Sequence, residues 1–203
     1  MTSLIDFQFL KFSLENGAHQ KIKDNIYPEI FNLVTYYPHT SVAKSNEGGW
    51  QSKDSIIDFN DVSDPLYPVA SVVFDTFSKL TKPLTLRKNV QLIPLFHYWI
   101  NVNGKGDYNI PHNHSPENPS EYYVLLSGCY YLKKPKNSGN IVFKSDRSYM
   151  KRWFLNELDQ VIDVEEGDIL LFPDFKTHYV QPNESDDYRI SIAFNVILQK
   201  PTL

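Results

Sequence analysis

Glu166-Gly167-Asp168-Ile169-Leu170-Leu171-Phe172-Pro173 is the stretch on which the fold turns. It is nearly all apolar, is entered through a Glu-Gly pair and is closed by a proline, so it reads as a strand covered on both faces. Outward from it the chain keeps the same grammar of short β-branched and aromatic runs broken by Gly, Pro, Asn and Asp. Further strands are expected at residues 90–102, 108–114, 122–132, 140–143, 177–180 and 188–198. A succession of short strands without intervening helices argues for an antiparallel sandwich or barrel, of which a jelly roll is one form.

Toward the N-terminus the pattern changes near Lys82-Pro83. Residues 1–85 form a mixed, partly helical region and residues 86–200 a β-rich core, together expected as one domain over 1–203. Tyr27-Pro28-Glu29-Ile30-Phe31-Asn32-Leu33-Val34 has apolar residues near helical spacing. Residues 64–80 do so more clearly: Asp64 is placed to cap, Pro65 suits a first turn, and Ala70, Val73, Phe74, Phe77 and Leu80 make an apolar stripe. Such a stripe belongs in a core. Between the two segments, Trp50 in Gly48-Gly49-Trp50-Gln51-Ser52 either plugs the core or lines an entrance for substrate.

Bulk composition narrows the function. No stretch of the sequence approaches the roughly 18 to 20 unbroken apolar residues of a membrane helix, and the first residues lack a basic region followed by an apolar run. A soluble, intracellular (cytoplasmic) protein is expected. The one cysteine, Cys129, permits no intrachain disulfide framework. A net charge of −4 supplies no field drawing the chain to nucleic acid or anionic lipid.

The chemistry-bearing residues fall on the strands. On an extended strand His112 and His114 point the same way, about 6–7 Å apart, with Asn113 opposite. One cation can bridge them only where the strand end bends, as it can beside Pro111 and the Ser115-Pro116 turn. If residues 182–187 form the loop of a C-terminal hairpin, Gln181 pairs with Tyr188, His178 faces Ser191, and Arg189 lies on the face of His178. Two imidazoles on one strand face are costly to bury unless something uses their nitrogens. A guanidinium between Tyr188 and the apolar run after it needs an anion, which an aspartate of the chain or a bound carboxylate could supply.

These residues carry a family resemblance. Trp99-Ile100-Asn101-Val102-Asn103, Pro111-His112-Asn113-His114, Ser127-Gly128-Cys129-Tyr130-Tyr131-Leu132, Gly139-Asn140-Ile141-Val142-Phe143, the 166–173 block, His178-Tyr179-Val180-Gln181-Pro182 and Arg189-Ile190-Ser191-Ile192-Ala193-Phe194-Asn195 follow in order over about half the chain. In these blocks the sequence resembles a small family of 2-oxoglutarate- and Fe(II)-dependent oxygenases. Gly48-Gly49-Trp50-Gln51-Ser52 extends the likeness loosely into the N-terminal half.

The resemblance implies a double-stranded β-helix, a jelly-roll form shared with cupins, mainly β with N-terminal helices. It implies iron held by the first histidine motif and His178, and 2-oxoglutarate and O2 as cosubstrates. Arg189 and Ser191 match the Arg-x-Ser pair that binds the distal carboxylate of 2-oxoglutarate in the wider superfamily, a bidentate arginine plus a hydroxyl. Tyr131 and Asn101 stand where further hydrogen bonds to the cosubstrate would come from. The usual facial triad is His-x-Asp or His-x-Glu plus a distant His, and here His114 replaces the carboxylate. Three ligand sets compete: His112, His114 and His178; His114, Glu117 and His178; or two histidines with an open position, His112 then orienting His114.

The activity this implies is C–H hydroxylation of an unidentified small-molecule or peptide substrate, coupled to 2-oxoglutarate decarboxylation. Two other classes fit parts of the sequence. A cupin-like three-histidine enzyme without 2-oxoglutarate leaves Arg189 and Ser191 without a task, and a non-catalytic jelly-roll binding module leaves the histidines without one.

Overall fold

Residue alternation along the last strand organises the molecule. In the computed structural model, which describes residues 8–58, 60–82, 94–115, 122–145 and 159–199, that strand covers Arg189–Gln199. Ile190, Ile192, Phe194, Val196 and Leu198 point into a large apolar core shared with the helices. Arg189, Ser191 and Ala193 point the other way and line a cavity. Strict period-two alternation thus separates core from site on one strand.

In chain order the elements are β1 (Leu10–Ser13), α1 (Asn16–Tyr36), a 3-10 turn (Pro38–Thr40), β2 (Asn46–Glu47), β3 (Trp50–Gln51), β4 (Ser55–Ile57), α2 (Tyr67–Thr81), β5 (Pro94–Asn103), β6 (Tyr108–His112), β7 (Tyr122–Lys133), β8 (Ile141–Phe143), β9 (Gln160–Ile162), β10 (Asp168–Pro173), β11 (His178–Val180) and β12 (Arg189–Gln199). Among the described residues they make two antiparallel sheets. The larger runs β1-β10-β7-β12-β5-β3, with β4 also on β5, and the smaller runs β2-β6-β11-β8-β9. This is the jelly-roll, double-stranded β-helix architecture, with the helices on the outer face of the larger sheet.

Strand β10 is buried at every position, as its apolar run demands. Ile169 and Leu171 enter the helix-side core, and Leu170 and Phe172 enter a smaller cluster with Phe143 and Ile162. Gly167, at φ 89°, makes the turn that leads into it.

Three expectations change. Helix α1 is longer than the Tyr27–Val34 pattern indicated, because only His19, Ile22, Ile26 and Ile30 are buried and polar residues fill the spaces between them. Helix α2 begins at Tyr67 with Pro68 in its first turn. Asp64 closes the preceding turn, accepting the Leu66 N–H on Oδ1 at 2.7 Å and the Tyr67 N–H on its carbonyl at 2.9 Å. Most consequential, β11 and β12 are not a hairpin: His178 pairs with His112 and Phe143 in the smaller sheet, and Ser191 pairs with Asn101 and Tyr131 in the larger.

The connection crosses between sheets because other loops hold it. Asn183 N–H bonds the Asp107 carbonyl, Glu184 N–H bonds that of Asn137, and Asn183 accepts from Gly106 N–H. The short strands β1 to β4 and β9 had no readable pattern in the sequence. Trp50 is a core plug, 6% exposed on the helix side. Its neighbour Gln51 faces the opposite side, onto a cavity beside the histidines.

Candidate metal centre and cosubstrate pocket

Strand β6 ends at His112, and the chain then bends so that the backbone N–H of His114 donates to the Asp174 carbonyl at 2.9 Å. The bend that one shared cation requires is therefore present. β11 lies beside β6 and brings His178 to a ring-centroid distance of 4.3 Å from His112 and 5.2 Å from His114. Ligand nitrogens of the three lie within 4.8 Å of one another. No carboxylate belongs to this cluster among the described residues, and Glu117 lies outside them.

Each imidazole has its Nδ1 engaged by an oxygen. His112 Nδ1 donates to the Ile110 carbonyl at 2.8 Å and His178 Nδ1 to the Lys176 carbonyl at 2.9 Å, while His114 Nδ1 meets Asn195 Oδ1 at 2.7 Å. A neutral imidazole that donates through Nδ1 keeps a lone pair on Nε2. Burial holds all three below the usual histidine range, His114 at about 4. Neighbouring histidines depress His114 and His178 further. At neutral pH the centre is three uncharged nitrogen donors, a set suited to a divalent transition metal.

Beyond the histidines a narrow cavity of about 50 Å³ runs between the sheets to Arg189, passing Asn101, Tyr131 and Ser191. Arg189 is 1% exposed. Its Nη1 donates to the carbonyls of Ser138 and Gln181, and its Nη2 has no partner. No described carboxylate forms an ion pair with it, and Asp107, the nearest acidic influence, accepts from the Gly104 N–H instead. Burying a guanidinium with no counter-charge costs several kcal/mol, so Nη2 is placed to receive an anion. Asn101 Oδ1 is also buried without a partner. Burial raises the Tyr131 phenol well above its usual value and the Cys129 thiol to about 11, so Tyr131 remains an O–H donor and Cys129 a thiol.

On the far side of His112 and His114 a second cavity of about 400 Å³ is bounded by Lys44, Gln51, Asp54, His97 and Trp99. Lys44 pairs with Asp54 at 3.0 Å and sits 5.6 Å over the Trp99 ring. His97 lies 3.3 Å from Asp54, and burial lowers its pKa against the pull of that carboxylate.

His112 and His114 lie between the cavity that holds Arg189 and the second cavity, lining both, and family comparison agrees with this arrangement. Residues 97–195 match the family model described as "Putative 2OG-Fe(II) oxygenase". This stretch belongs to the 2OG-Fe(II) oxygenases. Iron and 2-oxoglutarate are accordingly its cofactors, and the three histidines and Arg189 fit them.

Solved structures share the oxygenase's fold. A Pseudomonas putida prolyl-4-hydroxylase matches at TM-score 0.64 and 11% identity, over 95% of this chain and 94% of that one. A collagen prolyl hydroxylase of Paramecium Bursaria Chlorella virus-1, solved with 2OG, matches at 0.59 and 12%, over 96% and 98%. The epimerase SnoN from nogalamycin biosynthesis, solved with Fe3+, alpha ketoglutarate and nogalamycin RO, matches at 0.61 and 12%, over 94% and 78%. No curated protein matches the chain.

The structure brings His112, His114, His178, Arg189, Ser191, Tyr131 and Asn101 around one cavity. Sequence reasoning assigned no role to Asn195, Gln51, Lys44 or Asp54. Asn195 was discoverable, since it continues the 189, 191, 193 alternation. The others sit on short N-terminal segments without periodic signal.

Proposed function

We propose that this oxygenase is a hydroxylase, acting on a C–H bond of a small molecule or peptide side chain admitted through the 400 Å³ cavity. The observation that carries this is the convergence of three neutral histidine nitrogens with a buried arginine that lacks a partner on one nitrogen. In this reading His112, His114 and His178 hold iron, Arg189 and Ser191 hold the distal carboxylate of 2-oxoglutarate, and Tyr131 and Asn101 add hydrogen bonds to it. With iron bound, 2-oxoglutarate and dioxygen supply the oxidising power, and the protein positions and shields.

Phe172 packs on His178 at 4.8 Å and Trp99 on His114 at 5.4 Å, which limits water around the donors. The charges on the substrate-side wall are balanced, Lys44 against Asp54. That balance supports a polar, overall uncharged substrate group rather than a polyanion. Neighbours of the same fold include an epimerase, so hydroxylation is the step that experiment decides.

Purified protein with Fe(II), 2-oxoglutarate and air is expected to form succinate slowly without added substrate, and faster with a true substrate whose mass rises by one oxygen. No succinate above the metal-free control, together with no 2-oxoglutarate binding, would defeat the proposal. A three-histidine enzyme independent of 2-oxoglutarate shares the donor set but provides no anion for Arg189. Arg189→Ala separates the two, because only the 2-oxoglutarate enzyme loses cosubstrate binding while keeping its metal.

A further inference from the structure

Two of the three histidines are held in their metal-facing form by the backbone alone. His112 and His178 each donate Nδ1–H to the carbonyl two residues earlier in their own chain segment, Ile110 and Lys176. No side-chain substitution elsewhere removes those acceptors. His114 differs, because the atom at its Nδ1 is a side-chain oxygen, Asn195 Oδ1 at 2.7 Å.

We infer that Asn195 is a positioning residue that fixes His114 as the Nδ1–H tautomer and turns its Nε2 toward His112 and His178. The inference rests on the three-histidine reading of the centre. An amide oxygen can only accept, so the ring nitrogen facing it must carry the proton, and the lone pair is left on Nε2. If the amide were turned over, its NH2 would take the Nδ1 lone pair, move the proton to Nε2 and cost the centre a donor. Asn195 Oδ1 also accepts the Ser127 hydroxyl at 2.8 Å.

The support is rigid. Asn195 is 7% exposed and lies mid-strand in β12, opposite His97 of β5 and Ser127 of β7. Alternation puts it on the same face as Arg189 and Ser191. One strand therefore carries both the anion-binding pair and the group that orients the histidine standing where a carboxylate is usual. Partners of this kind change metal affinity by roughly 10–100-fold when removed.

The test reads tautomer and affinity separately. Histidine labelled with 15N in metal-free protein at pH 7.5 reports which His114 nitrogen carries the proton, and titration with Co(II), followed by absorbance, reports affinity. Wild type and Asn195→Asp, which keeps an oxygen acceptor, are expected to show Nδ1–H and comparable affinity. Asn195→Leu is expected to lose the Nδ1–H preference and to bind Co(II) roughly 10–100-fold more weakly.

An Nε2–H proton on His114 in the wild type overturns the inference, as does Asn195→Leu binding Co(II) as tightly as wild type. If Asn195→Leu does not fold, the wild-type and Asn195→Asp spectra still decide. Wild-type protein that shows Nδ1–H but binds no Co(II) would overturn the three-histidine reading and leave the tautomer assignment standing.

Discussion

A guanidinium buried to 1% exposure, with two carbonyls on Nη1 and nothing on Nη2, is costly unless an anion joins it. Arg189→Ala is therefore expected to abolish 2-oxoglutarate binding in calorimetry while Co(II) binding persists. It also strands the Ser138 and Gln181 carbonyls, so stability falls by about 1–3 kcal/mol in urea titration. The histidines give a pH signature. Their folded pKa values lie below the unfolded value of 6.5, with His114 at about 4. The unfolded chain thus binds protons first, and the stability from neutral, buried imidazole is present above pH 6.5 and lost as pH falls toward the folded values. Each such histidine costs up to about 1.4 kcal/mol per pH unit in that window. Urea midpoints of metal-free protein are expected to fall between pH 6.5 and 4.5, and to fall less in His178→Ala. The sequence made these residues legible because each is expensive to bury unused. For Asn195 the sequence offered only its place in the 189, 191, 193 alternation, because its role comes from the imidazole opposite.

At the scale of elements, β12 pairs with β5 and β7 along nearly its whole length and aims its two faces at different tasks. Its arginine is cradled by the turn between β7 and β8, where Gly139 adopts φ +77°. A Cβ there would overlap the Gln181 and Pro182 carbonyl oxygens and come within 2.9 Å of Arg189 Nη1. Gly139→Ala is therefore expected to lower both thermal stability and 2-oxoglutarate affinity, with Co(II) affinity nearly unchanged. Equal loss of both ligands would point to general unfolding instead. Strand faces were legible here because alternation is local and β-branched residues favour it. Pairing was not: the 182–187 loop has hairpin length, yet bonds from Asn183 and Glu184 to Asp107 and Asn137 carry the chain across to the other sheet. His178 and Arg189 do share one cavity, but they meet across the sandwich rather than along a hairpin.

Across the whole molecule, the centre spans two layers. His112 and His178 come from the smaller sheet, and Arg189, Ser191 and Asn195 from the larger. A ligand set that touches both layers binds only the assembled fold, so it stabilises by mass action, about 2.7 kcal/mol at a hundredfold excess over Kd. Co(II) with 2-oxoglutarate is expected to raise the melting temperature beyond Co(II) alone, and Arg189→Ala to erase only the 2-oxoglutarate increment. By itself the sequence determined the β-rich core, the apolar stripe of α2, the buried run of β10 and the residues whose chemistry needs a use. Those are properties of local spacing and of side-chain cost, and both are written in neighbouring residues. Tertiary structure alone decided which sheet each strand joins, which oxygen meets each Nδ1, and that Trp50 and Gln51 face opposite sides. Such pairings join residues far apart in sequence, and their energies exist only once both sheets and the helices have closed on one another.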